Sequence, residues 1–341
     1  MVDEINFTRL GQKNLSGDAM ALFKDQFIPE LLTAFDEKRV VKNYVRSKTI
    51  TKGKSASFPV LGTTSAKYFG VGDSPLLGNQ TIGHNEITIN VDPFLVSDIM
   101  IADFDAKLQE YDDRAEITRE MGRALANTED RQLLQVGCLA ARKEAIIEGG
   151  NGGSVIKGGA DIENSGELLA AALFTAGVEL DNKNVPEEDR TAFIRPLQYA
   201  LLAQYADIKN KDIGGGSYEL GTTGKVNNIS IIKTTHLPNS NIAAPTSGVT
   251  GANNIYYGDF SNTVMLVMNR QAVGTVSRQG LVIDTDWKLE YLAHLIVARI
   301  LQGHGILRPD CAVEVTKETV NTGGDAGAGN VGGNPTEGGT V

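Results

Sequence analysis

The chain has 341 residues, with 42 acidic and 32 basic side chains and a formal net charge of −10. That length holds one large domain or two ordinary ones with a real core. The acidic balance argues against a surface that grips nucleic acid through its phosphates, and leaves open one that encloses it. Cys138 and Cys311 are far apart and in no metal spacing. They read as small buried residues of a chain made in a reducing compartment, not as a disulfide framework. No apolar run approaches membrane-spanning length, and Met1-Val2-Asp3-Glu4-Ile5-Asn6 lacks the basic start and apolar core of a signal peptide. The expectation is a soluble product of a cytosol.

Residues 1–20 read as a polar arm. Leu22, Phe23, Phe27, Leu31 and Phe35 have helical spacing, and Pro29 kinks the short helix they predict. From Val45 to Val91 the texture is extended. Residues 45–51, 57–61 and 87–91 read as strands, joined by a long excursion containing Gly70, Gly72 and Gly78. A stretch so poor in large apolar residues cannot bury itself, and it lies on another molecule or stays loose. Within it, Gly53-Lys54-Ser55 imitates the end of a phosphate loop. The loop's first glycine is replaced by Lys48, and Pro59 excludes the helix that should follow.

A short helix is expected near 98–110 and a long one over about 113–147. The long one carries Asp113 and Glu116 as an N-cap pair, Arg142 and Lys143 near its end, and Gly149-Gly150 as its stop. Residues 151–166 read as a linker. Beyond it the pattern alternates: helix 167–180, strand 191–195, helix 197–205 opened by Pro196, and strand 229–235. Glycine- and asparagine-rich loops interrupt this small α/β unit near 210–224 and 239–258. Strand 263–268 is continued by 273–276. A helix capped by Asp286 and ended at Gly303 follows, with Leu289, Leu292, Ile296 and Ile300 as its stripe. Residues 312–315 form a last strand. From Asn321 the composition is low-complexity and glycine-rich, which predicts disorder.

The catalytic residue types do not converge. His294 reads as a polar residue of the last helix, His304 as a feature of its C-terminus, and His84 and His236 as isolated in loops. Asp284 with Asp286, and Asp112 with Asp113, read as charge at helix N-termini. No serine has an elbow context and no dinucleotide fingerprint is complete. No cofactor and no metal site are expected, and the chain reads as one that works by packing rather than as an enzyme.

Four stretches in order, "GKSASFPVLGTTSAKY" (53–68), "YDDRAEITREMGRALANTEDRQLL" (111–134), "MNRQAVGTV" (268–276) and "GHGILRPDCAVEV" (303–315), resemble the major capsid protein of short-tailed, podovirus-type bacteriophages. The resemblance implies the α+β tailed-phage capsid fold. It divides the chain into an N-terminal arm (1–44), an extended β-hairpin loop (45–92), a peripheral domain with a long spine helix (93–155 and 270–317), an axial α/β domain (156–269) and a tail (318–341). It further implies hexamers and pentamers in an icosahedral shell around double-stranded DNA, with scaffolding and portal proteins as partners and assembly in the host bacterial cytoplasm. The alternative in the same fold is the shell of a cellular nanocompartment. Under the capsid reading, Lys52 and Lys54 on the hairpin are candidates to meet the acidic start of a neighbour's spine helix (Asp112, Asp113, Glu116). Gly70, Gly72, Gly78, Gly149, Gly150, Gly152 and Gly153 are candidate hinges.

Overall fold

The structure, a computed structural model, describes residues 39–62, 68, 82–102, 114–147, 149–205, 225–244 and 252–318. The expected arm, the kinked helix over 21–35, the loop near 210–224 and the tail beyond Glu318 lie outside the described residues. In chain order, β1 (Arg46–Thr49), β2 (Ser55–Leu61), β3 (His84–Asn90) and β4 (Leu95–Ala102) precede the long helix α1 (Arg114–Ala141). Then come β5 (Ser154–Lys157), α2 (Gly166–Asn182), β6 (Arg190–Ile194), α3 (Pro196–Gln204), β7 (Lys225–Val226), β8 (Ile229–Lys233), β9 (Asn241–Ile242) and β10 (Gly258–Asp259). The order closes with β11 (Thr263–Asn269), β12 (Val273–Lys288), β13 (Ala293–Ile306) and β14 (Ala312–Thr316).

Two larger sheets result. One has the order β5-β14-β11-β6-β8-β7. Its central strands β6 and β11 are buried along their whole length, which is why "TAFI" and "TVMLVM" run almost uninterruptedly apolar. β6 and β8 are parallel, so the chain between them must cross over, and α3 lies in that crossover. The second sheet has the order β1-β12-β13-β4. A smaller antiparallel pair, β2 with β3, forms the hairpin.

α1 belongs to both sheets. It is rich in alanine, leucine, glutamate and arginine, contains no proline, and is 28 residues long, or about 42 Å at the usual rise. Met121, Leu125 and Ala126 pack with Ile283, Ile296, Ala298 and Ile300 of the four-stranded sheet. Leu133, Leu134, Val136, Cys138 and Ala140 enter the larger core with Phe193, Leu266 and Val313. The helix ends at Ala141, well before Gly149-Gly150. Just past it, Arg142 still donates its amide to the Cys138 carbonyl, while its side chain binds another element. Its Nε and Nη2 each lie 2.6 Å from a different oxygen of Glu314, a bidentate pair. Arg142 also donates to the Asp259 carbonyl and stacks over Phe260, while Thr263 donates its hydroxyl to Glu314. Glu314 is fully buried. The cation expected to serve the helix dipole serves instead to lock α1 to β14 and β11.

One helix expected from the sequence, and the first residues of another, are strands. Residues 95–102 form β4, half-buried and exposed in alternation, at the edge of the four-stranded sheet. The remainder of the expected 98–110 helix lies outside the described residues. The helix expected from Asp286 to Gly303 is the end of β12, a turn, and β13. Of its supposed stripe, Ile296 and Ile300 are buried at 1% and 2% exposed, whereas Leu289 and Leu292 are 67% and 60% exposed. The buried set is Ile296, Ala298 and Ile300, a period of two. Asp284 and Asp286 therefore cap nothing. Asp284 pairs with Arg299 across the strands at 2.7 Å, and Asp286 with Lys288. Residues 273–276 do not continue β11 but open β12 in the other sheet, and β1 pairs in parallel with β12 rather than joining the hairpin.

The Arg142–Glu314 lock has a definite cost of removal. Arg142→Leu is expected to destabilise the fold by about 3 kcal/mol, because it strands a buried carboxylate, and Arg142→Leu with Glu314→Leu should recover most of that loss. Denaturant unfolding of the two single variants and the double variant measures the coupling.

Candidate assembly interfaces

The hairpin is held at its root by the body of the protein. Ser55 pairs with Asn90 and Leu61 with His84 at the two ends of the ladder. Ala56, Phe58 and Ile89 face inward onto Val276 and Leu307, while Leu61 is 66% exposed. Gly53, at φ +95°, turns the chain into β2, and its carbonyl accepts from Arg278 at 2.9 Å. The Lys48 ammonium sits 5.0 Å from the centre of the Phe58 ring. Gly303 of β13 lies directly against the Asn90 carbonyl, where an added Cβ would come within 2.0 Å of the oxygen.

Just past β3 the chain is clamped again. The Asp92 carboxylate accepts from the Asn253 amide at 2.6 Å, from the Asn254 amide at 3.0 Å, and from the Tyr256 hydroxyl. Tyr256 in turn accepts from the His304 amide at 2.9 Å, and His304 Nδ1 shares a hydrogen bond with Thr275. Burial, with Lys42 nearby, pushes His304 down to about 3, so the ring is neutral at physiological pH. His304 is thus a structural strand residue, not the end of a helix. His294 likewise lies on a strand, against Trp287. Burial raises both thiols, Cys311 to about 12, which leaves them poorly reactive. Among the described residues no cluster of three histidine, cysteine or acidic side chains could hold a metal.

Lys52 and Lys54 are exposed at the hairpin root. Among the described residues neither enters an ion pair. Asp112 and Asp113 lie outside the described residues; Glu116 falls within α1, but its side chain is not described. The two lysines and the three acids are not brought together within one chain by anything described. Gly70, Gly72 and Gly78 also fall outside. Gly149 has φ +77° and open space around its missing Cβ. Gly150 and Gly152 approach neighbouring backbone more closely, and a Cβ on Gly153 would sit 2.3 Å from the Ala141 carbonyl.

Exposed apolar surface is the feature that chain-order reading missed. On the outward side of α2, Leu168, Phe174 and Val178 are 40%, 50% and 53% exposed, while Leu169, Leu173, Ala176 and Leu180 are buried behind them. The signal was present in "GELLAAALFTAGVEL", which puts apolar residues on every side and only Glu167, Thr175 and Glu179 among them as polar ones. A helix with one covered face does not need that. A second patch is the turn at Leu289, Tyr291 and Leu292, where Leu292 adopts φ +47°. Apolar groups left in the open in this number are candidates for surfaces that meet something else.

Comparison with known proteins gives these surfaces their context. The Gp10A-like major capsid protein model matches residues 57–316. The major capsid protein of Enterobacteria phage T3 is 30% identical over 327 residues, covering 89% of this chain and 94% of that protein. The major capsid protein of Escherichia phage T7 is 29% identical over 324 residues, covering 87% and 92%. Among solved structures, the capsid of Cyanophage P-SCSP1u superposes with a TM-score of 0.73 at 36% identity, over 82% of this chain and 88% of that one. With its two sheets, spanning helix and anchored hairpin in the tailed-phage capsid arrangement, the chain belongs to the Gp10A-like family of major capsid proteins.

Proposed function

We propose that this capsid protein assembles as hexamers and pentamers into a closed icosahedral shell around double-stranded DNA, acting by packing and not by catalysis. The observation that carries the reading is the family match over residues 57–316, which takes in the hairpin, α1 and most of both sheets. The anchored hairpin and the exposed apolar face of α2 support it, since both are surfaces a lone chain leaves uncovered. Contacts that are each modest become strong when repeated around a ring and across a shell, while single misplaced copies can still leave. A chain at −10 also suits a container, because an inner wall of like charge does not trap packaged DNA. Scaffolding and portal proteins are the expected helpers, and the host cytoplasm the place of assembly.

Negative-stain microscopy of the purified chain, with and without a co-expressed scaffolding protein, tests the whole reading. Closed particles or capsomer rings are expected, and a monodisperse monomer under both conditions would refute it.

Lys52 and Lys54 extend the proposal to one contact, with Asp112, Asp113 and Glu116 of a neighbour. One exposed ion pair is worth about 0.2–1 kcal/mol, so its effect appears through repetition. Reversing both lysines to glutamate is expected to slow or block shell formation at low salt without lowering the melting temperature of the subunit. Light scattering during assembly reads it, and unchanged kinetics would remove both lysines from the interface.

The glycine segment after α1 supplies the joint that lets one chain occupy two ring sizes. Gly149, with positive φ and space around it, is its moving point, and Gly153 its fixed end against α1. Gly149→Ala is expected to cost about 1 kcal/mol of subunit stability and to narrow the range of particle sizes. A size distribution identical to the parent would place the joint elsewhere.

A further inference from the structure

We propose that Glu129 and Asp130 form a proton-operated latch that fastens the root of the N-terminal segment, residues 39–41, to the middle of α1. The two carboxylates stand side by side on the helix, and both residues are fully buried. Asp130 accepts the Val40 amide at 2.9 Å on one oxygen and the Val41 amide at 3.2 Å on the other. Glu129 lies 3.7 Å from the Arg39 guanidinium, and neither of its oxygens accepts a hydrogen bond among the described residues. Among the described residues, Arg39 and Lys42 are the cations that face the pair, both from the root of the segment. β13 adds the uncharged Gln302, and His304 behind Lys42 is neutral.

A purely structural fastening would not look like this. One carboxylate holds both backbone amides. Glu129 adds a second buried acid, held only loosely by Arg39 at 3.7 Å and by Gln302, and it repels the first. Removing an acid from water without full pairing is costly, and the cost vanishes when a proton binds. The arrangement therefore couples the position of the root to proton uptake.

The direction follows from the surroundings. Burial pushes Asp130 up to about 6 and raises Glu129 as well, against the pull of the two amides and Arg39. If the root lifts away, water reaches both acids and they return toward ordinary carboxylate values near 4. The closed root binds protons more tightly than the lifted one, so closing is favoured as pH falls from above 6 toward 4. Above 6 the latch carries its full cost and is easiest to open. From Asp130 alone, the closed-to-lifted ratio rises about fourfold between pH 8 and pH 5.5.

Hydrogen exchange of the Val40 and Val41 amides in the full-length chain reads the latch directly. Rates are corrected for the intrinsic pH dependence and referenced to amides of β11. Protection is expected to rise at least about fourfold from pH 8 to pH 5.5, and Glu129→Gln should raise it at pH 8 and flatten the profile. Flat or falling protection with acid in the parent chain overturns the proposal, and so does a Glu129→Gln profile identical to the parent. Should that variant not fold, the parent profile decides alone. The outcome does not depend on whether the chain forms shells.

Discussion

The fold depends on one constraint: a single helix is buried against two sheets at once. The first half of α1 completes the four-stranded sheet through Met121, Leu125 and Ala126, and its second half lies in the core of the six-stranded sheet. Neither half could be displaced without exposing part of a core, so the relative position of the sheets is fixed by the helix between them. The Arg142–Glu314 pair, just past the last residue of the helix, ties that end to β14. The hairpin and the exposed α2 face project from a body made rigid in this way.

Polar groups occur where separate segments must meet at one place. Asp92 gathers residues 253–256 and, through Tyr256, the buried end of β13. Glu314 gathers α1, β11 and the chain near Asp259. Apolar burial contributes most of the stability but is tolerant of small shifts. A bidentate carboxylate accepts one geometry. For a subunit whose surfaces must match copies of themselves, such joints restrict the error in where each surface points, even where an apolar replacement would be as stable.

Much of this was legible in the chain. The spine helix, α2, α3, β6, β8, β11 and β14 follow from periodicity, and the strands β2 and β3 from the extended texture of 57–61 and 87–91. The last long hairpin was not. Leu289, Leu292, Ile296 and Ile300 fit helical spacing by coincidence, and a capping aspartate stood before them. What decided the outcome is pairing: β13 has β12 on one side and β4 on the other, and β4 is distant in sequence while only the first residues of β12 read as a strand. The enrichment in "HLIVARIL" of β-branched residues was the local signal for a strand, outweighed by a periodicity that looked helical. β4 went wrong with it, since an edge strand is recognisable only when its neighbour is.

The exposure of Lys52 and Lys54 and the open backbone at Gly149 agree with what composition suggests. Charge on the hairpin and glycine after α1 can be read from composition, because exposed charge and backbone freedom are local properties. Glu129 and Asp130 could not be singled out, although they sit in a correctly read helix. A helical wheel places neighbouring residues about 100° apart, and two adjacent acids on an otherwise mixed helix look like a solvated face. The path of residues 39–42 across that face is what meets them there. The same chain segment thus creates the cost of the acid pair and is held by it. A reversible attachment needs that combination, because an attachment with no opposing cost would have no reason to open.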